Sequence, residues 1–213
     1  MRARFPRTTP RWAWKAGALS ILAACGLVEP TPSGQVTVLL RATGGTRLEV
    51  ADLRFEAVEL EASDGGRVPL ALRRPVGNLL HLLTRWDTLA ANAAPAQRYV
   101  ALRVVVRSGY VVLRQRDSTF VVYATPGAEV PSAWAALKPR SLDCELCGRP
   151  LTVPLPGAQL DLGGKQRATL EVEFDLDSSL YPAGIAGRVA APDDRWFLQP
   201  TLRVRAVRLT GGS

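Results

Sequence analysis

The sequence predicts an all-β domain, an antiparallel sandwich with few short helical turns, and three observations carry that prediction. Apolar and polar residues alternate with period two in segment after segment, the mark of strands buried on one face. Turn signals built from Gly, Asp, Ser and Pro recur between those segments, as in sandwiches of short strands. Helix is scarce: only 78–86 and 134–137 suit a turn or two.

Val36, Val38 and Leu40 alternate with Gln35, Thr37, Leu39 and Arg41 and open the domain. Leu53, Phe55 and Ala57 share one parity, but Val58, Leu60 and Ala62 continue on the other. That change of phase predicts a bulge, or a strand that leaves one sheet for another. Ser63-Asp64-Gly65-Gly66 is a turn, and 67–72 returns as the hairpin partner. Segment 99–107 is apolar on both parities over much of its length and reads as a central strand. Ser108-Gly109 is expected to be a tight turn, with 110–113 running back and 119–124 following Asp117-Ser118. In 170–177, Leu170, Val172, Phe174 and Leu176 point one way, and Glu171, Glu173, Asp175 and Asp177 the other. The last strand, 197–209, puts Leu202, Val204 and Ala206 inside and Arg203 and Arg205 outside. The acidic and basic outer rows suit each other as neighbours, at about 0.2–1 kcal/mol per exposed pair.

The N-terminus carries an address. Arg2, Arg4, Arg7, Arg11 and Lys15 precede a short apolar run, 16–24, and no acid occurs among them. A basic start, a short apolar stretch and small residues before a cut form the secretory pattern. The run is shorter than the roughly 20 apolar residues a membrane helix needs. Leu22-Ala23-Ala24-Cys25 resembles the lipobox of bacterial lipoproteins, which is cut between Ala24 and Cys25 before the cysteine is lipidated. Segment 1–24 is therefore expected to be a lipoprotein signal peptide, and 25–34 a lipid-anchored linker rich in Pro, Ser and Gly. Two or more acyl chains hold a protein stably on a membrane. The lipoprotein resemblance adds that Gly26, where an Asp favours retention at the inner membrane, leans towards the outer membrane of a Gram-negative cell. Removing the signal takes five of the 27 basic residues and none of the 19 acids, so the net charge falls from +8 to about +3. Arginines and acids are interspersed in what remains, so no nucleic-acid partner is expected.

The rest, 35–210, is one domain by length. Its features come in a distinctive order: Val36-Thr37-Val38-Leu39-Leu40, then Val58-Glu59-Leu60 running into Ser63-Asp64-Gly65-Gly66, then Asn78-Leu79-Leu80. Tyr99-Val100-Ala101-Leu102-Arg103-Val104, Phe174-Asp175-Leu176-Asp177-Ser178-Ser179 and Leu198-Gln199-Pro200-Thr201-Leu202-Arg203-Val204 complete it. This order resembles the DUF4382 family, a domain of unknown function in bacterial and archaeal lipoproteins and envelope proteins, over about 36–207. The sequence departs from it at Ala94-Pro95-Ala96-Gln97 and in an insertion, 134–156. The resemblance implies fold and compartment, and it brings no catalytic residue. The fold class expected is an antiparallel β-sandwich, immunoglobulin- or transthyretin-like.

Cys144-Glu145-Leu146-Cys147 lies in that insertion. In an oxidising envelope the two cysteines left after lipidation are expected to pair. Two alternatives stay open: a zinc half-site, short of the four ligands a closed site wants, and a redox pair, which wants a helix after its first cysteine. Glu171, Glu173, Asp175 and Asp177 offer carboxylates to calcium, with Asp193 and Asp194 as further ligands. Alternate residues on a strand stand about 7 Å apart, so one row cannot wrap an ion. His81 sits in an apolar stretch and is expected to be partly buried; no nucleophile elbow or metalloprotease motif accompanies it. Trp86, Trp134 and Trp196 suit either packing or sugar stacking.

The expected function is a membrane-anchored, non-enzymatic β-sandwich that binds an envelope protein or a glycan, with no cofactor. Two alternatives belong to other classes. One is a carbohydrate-binding module using exposed Trp residues. The other is a hydrolase whose pair, Asp175 and Asp177, would have to stand about 5–9.5 Å apart across a cleft.

Overall fold

Alternation decides which face of a strand is buried, and the burial in the computed structural model follows it closely. The structure describes residues 31–182 and 195–211. Ala24, Cys25, the signal, most of the linker, Asp193 and Asp194 lie outside the described residues.

The chain runs β1 (Ser33–Thr43), β2 (Leu48–Ala62), β3 (Arg67–Leu72), β4 (Val76–Asn78), a 3-10 turn at Leu79–Leu82, β5 (Asp87–Pro95), β6 (Arg98–Arg114) and β7 (Phe120–Ala124). There follow the single turn α1 (Ser132–Ala135), β8 (Arg140–Asp143), β9 (Pro150–Pro154), a 3-10 turn at Pro156–Ala158 and β10 (Leu160–Asp161). Then come β11 (Arg167–Asp175), the single turn α2 (Leu176–Ser179), β12 (Leu180–Pro182), β13 (Trp196–Leu198) and β14 (Leu202–Thr210). The mostly β expectation holds.

The strands form one strongly curled, open sheet in the order β12-β13-β8-β7-β6-β2-β3-β5-β1-β11-β14, with β4 on β2 and with β9 and β10 on β6. Pairing is mixed, whereas an antiparallel arrangement was expected. β1 runs parallel to β11, and β8 runs parallel to both β7 and β13. Alternation assigns a face to each residue but says nothing about which strand lies alongside, or in which direction.

Val36, Val38 and Leu40 of β1, Ala168, Leu170, Val172 and Phe174 of β11, Leu53, Phe55, Val58 and Leu60 of β2, and Leu102, Val104 and Val106 of β6 share one core. The phase change in β2 is a bulge: its register against β6 shifts at Arg54, Phe55 and Ala57, and buried positions switch from Phe55 to Val58. The 63–66 turn is also as expected, with Gly65 at positive φ, the Asp64 carboxylate accepting from the Gly66 N–H, and β3 returning along β2.

Three expectations are corrected. Ser108-Gly109 is no turn, because β6 runs straight through it. Gly109 is there because a Cβ would stand 2.3 Å from Leu53 Cδ2 and 2.7 Å from the Asp52 carbonyl. Its N–H donates to Thr125 Oγ1, and its carbonyl accepts from the Thr125 N–H. Strand 170–177 stops at Asp175, whose carboxylate caps α2. Strand 197–209 is broken between β13 and β14 at Gln199-Pro200-Thr201, since Pro200 has no N–H to give a ladder. Ser179, fully buried, pins that break by donating to the Asp175 carbonyl and accepting from the Thr201 N–H.

The outer side of β6 has a small core of its own. Tyr110, Val112 and Val122 are buried there under Ala128, Val130 and Trp134. That cover explains why 110–113 is apolar on both parities. Segment 134–156, expected as an insertion, supplies β8 and β9 to the sheet, and its Leu142, Val153 and Leu155 are core residues.

Gly109→Ala should cost about 1–3 kcal/mol by overpacking against β2. Urea unfolding checks this, with Gly127→Ala, whose Cβ would meet open space, reporting the backbone cost of an exposed turn alone.

Candidate functional site

A cluster of ion pairs lies on the outer face of β1, β11 and β14. Register brings it about. Arg41 is opposite Glu173 on the β1–β11 pair, and Arg203 is opposite Glu173 on the β11–β14 pair. The Glu173 side chain is only 1% exposed although it points away from the main core. Its Oε1 accepts from Arg41 and, at 3.0 Å, from Arg205 Nη1. Its Oε2 accepts from Arg203 Nε at 2.8 Å and Arg203 Nη2 at 2.6 Å. A carboxylate out of water costs several kcal/mol unless charge and hydrogen bonds compensate it. Burial by itself pushes the Glu173 carboxyl up, but hydrogen bonds from Arg203 and Arg41 and the nearby charge of Arg205 outweigh it, so the group titrates below its usual range. The arginines are less enclosed. Arg203 is 68% exposed and Arg205 57%, while Arg41, 30% exposed, lies 4.9 Å over the Trp86 ring.

The rest of the acidic row is occupied separately. Glu171 accepts from Arg208 at 2.7 Å. Asp175 accepts from the Ser178 N–H at 3.0 Å and the Ser178 hydroxyl at 2.8 Å, and the N–H bond chiefly holds its carboxyl below the usual range. Asp177 accepts from the Gly45 N–H at 2.8 Å and so closes the β1–β2 turn. Asp175 and Asp177 therefore hydrogen-bond in two different places, Asp175 to Ser178 and Asp177 to the Gly45 N–H. Among the described residues no group of three or more His, Cys, Asp or Glu side chains is placed to hold a metal ion.

Cys144 and Cys147 are joined, with Cα atoms 5.4 Å apart. Both pack against the core in the turn that leads from β8 to β9. His81, expected to be partly buried, is exposed on the 3-10 turn, whose buried residues are Leu79 and Leu82. The three tryptophans are half-buried, each against a different partner. Trp86 lies under Arg41, Trp134 meets Phe120 edge-on at 5.7 Å, and Trp196 tilts against Tyr123 at 5.8 Å.

An apolar cavity lined by Leu40, Phe55, Leu79, Leu82 and Leu89 has about 10 Å³ of room, scarcely one water. A cleft of about 20 Å³ is bordered by Asp52, Ser108 and Tyr110, where burial pushes the Asp52 carboxyl up. A shallow polar depression of about 510 Å³ lies beside the start of β1, lined by Ser63, Gln97, Arg98, Asp161 and Gln166. The arginine face presents the partly exposed guanidinium groups of Arg203 and Arg205 to water.

Sequence reasoning named Arg41, Glu173, Arg203 and Arg205 on the outward parity of their strands but missed the meeting of Arg41 with Glu173 and the burial of Glu173. The available signal was an arginine on the outward parity of β1. It becomes informative only with the parallel β1–β11 register. The architecture defines a mostly β, mixed-sheet domain with a basic cluster on one face. Compared with protein-family models, with curated proteins and with solved structures, the chain matches none.

The disulfide closes a short loop, so reducing it should cost about 2 kcal/mol. Cys144 and Cys147 should resist alkylation until reductant is added, and mass spectrometry after thiol labelling reads this directly. Glu173 and Asp175, both titrating low, contribute stability above the ordinary carboxylate range. That contribution is lost as pH falls through their depressed pKa values. Glu173→Gln should lower stability near neutral pH by about 2–3 kcal/mol, less than for a fully buried pair because the arginines reach water. It should also flatten the fall in stability towards acid, measured as urea midpoints across pH.

Proposed function

We propose that this chain is a lipid-anchored bacterial envelope protein whose β domain binds a partner and is not an enzyme. The lipobox Leu22-Ala23-Ala24-Cys25, behind a basic start and a short apolar run, is the observation that carries the reading. The position of β1 supports it. The first strand begins at Ser33, eight residues beyond Cys25, so an anchored domain stays within about 30 Å of the bilayer. The paired Cys144 and Cys147 suit an oxidising compartment. Gly26 favours the outer membrane as the destination.

The ordered motifs between 36 and 207 support grouping the domain with the DUF4382 family. The two wings of the curled sheet act as the layers of a sandwich, a reading supported by the single core that β1 and β11 share with β2 and β6. The partner is an envelope protein or a glycan presented near the membrane.

The native protein should carry acyl chains on Cys25 and fractionate with membranes, and the Cys25→Ala form should leave them. Intact mass and membrane fractionation of the two forms test this. An unmodified Cys25 in a soluble native chain would overturn the anchor.

A further inference from the structure

The arginine face carries more than its own internal pairing needs. Three guanidinium groups converge on one carboxylate, Glu173. Of the neighbouring charges, Arg208 is paired with Glu171, and Asp175, hydrogen-bonded to neutral Ser178, keeps its negative charge within reach of Arg203. Three guanidinium groups against Glu173 and Asp175 leave an excess of positive charge, and Arg203 and Arg205 are the two that reach water.

Their geometry is set from beneath. Glu173 takes Nε and Nη2 of Arg203 and Nη1 of Arg205. This leaves Nη1 of Arg203 and Nη2 of Arg205 with no acceptor among the described residues, on side chains more than half exposed. A guanidinium is a rigid planar fork, so holding the Nε–Nη2 edge of Arg203 fixes where its Nη1 points, while Arg205 is tethered beside it through Nη1. Arg41, clamped between Glu173 and the Trp86 ring, adds positive charge behind them, and its Nε is buried without a partner. Arginines built this way, over a buried carboxylate that orients them, are preorganised donors for a tetrahedral oxyanion.

We infer that the outer face of β1, β11 and β14 is a binding site for a phosphate group, with Arg203 and Arg205 as its ligands and Glu173 as the residue that positions them. The face is open, so it grips the anionic group and leaves the remainder of the ligand in water. The phosphate belongs either to a soluble phosphate ester or to a lipid headgroup. The inference deepens the binding reading and rests on it, but not on the anchor.

The test uses the full-length Cys25→Ala form, so that membrane capture through an acyl chain and phosphate binding are read separately. Inorganic phosphate is titrated at constant ionic strength, with chloride as the balancing anion, and the thermal midpoint is followed. Saturable stabilisation is expected, and the Arg203→Gln/Arg205→Gln double variant should bind about tenfold more weakly or worse. Equal midpoints in phosphate and chloride, or an unchanged double variant, would overturn the site. Glu173→Gln separates positioning from plain charge. Removing a negative charge alone should tighten phosphate binding, whereas loss of positioning weakens it, so tighter binding would overturn the role given to Glu173. Where the Glu173 variant fails to fold, Arg205→Lys serves instead: it keeps the charge and loses the fork, and affinity equal to that of the native arginine would overturn the preorganised geometry. Sedimentation with phosphatidylcholine vesicles, with and without phosphatidylglycerol, identifies the source. Capture only by the anionic vesicles supports a headgroup, and a phosphate response without capture supports a soluble ester.

Discussion

A carboxylate cannot stay charged out of water without partners, and Glu173 meets that requirement by holding three strands in register. Arg41 reaches it from β1, and Arg203 and Arg205 reach it from β14. β1 and β11 are more than a hundred residues apart in the chain, and they run parallel. A one-residue slip would turn Glu173 towards the apolar core and leave three arginines without their acceptor. Apolar packing on the inner face, through Val38, Leu40, Leu170 and Val172, supplies most of the drive to associate. The outer ion cluster says which register is allowed.

The same logic of two working faces recurs around β6. Along β6, Arg103 meets Glu59 and Glu61, and Arg107 meets Glu56, all from β2. Further on, the outer face becomes apolar, and Tyr110 and Val112 are covered by Val130 and Trp134. Between these regions lies Gly109, where β2 approaches so closely that no side chain fits. The register of β6 against β2 shifts just before that glycine, where the outward face of the strand changes character.

Much of the sheet was legible because one-sided burial leaves a period of two in the sequence. The alternation at 36–40, the bulge at 55–58 and the turn at 63–66 were all visible in this way. β5 was not, because Asp87–Pro95 is rich in alanine, whose small side chain carries little contrast between faces, yet it lies between β1 and β3. Ser108-Gly109 misled because a glycine has two uses, reversal and close approach, and local sequence does not distinguish them. The residues of the arginine site were visible as outward positions, but not their convergence. That was hidden because Arg41 and Glu173 become neighbours only through long-range parallel pairing.

The sequence by itself determined the mostly β character and the inward face of the clearest strands, since both are local properties of composition and period. The tertiary structure alone decided which strands neighbour one another, that Glu173 is buried while Asp175 and Asp177 serve backbone caps, and that Arg41, Arg203 and Arg205 converge. The physical reason is that burial and charge pairing depend on neighbours brought from distant parts of the chain. A carboxylate on the outward parity of a strand reads the same in sequence whether water or three guanidinium groups surround it.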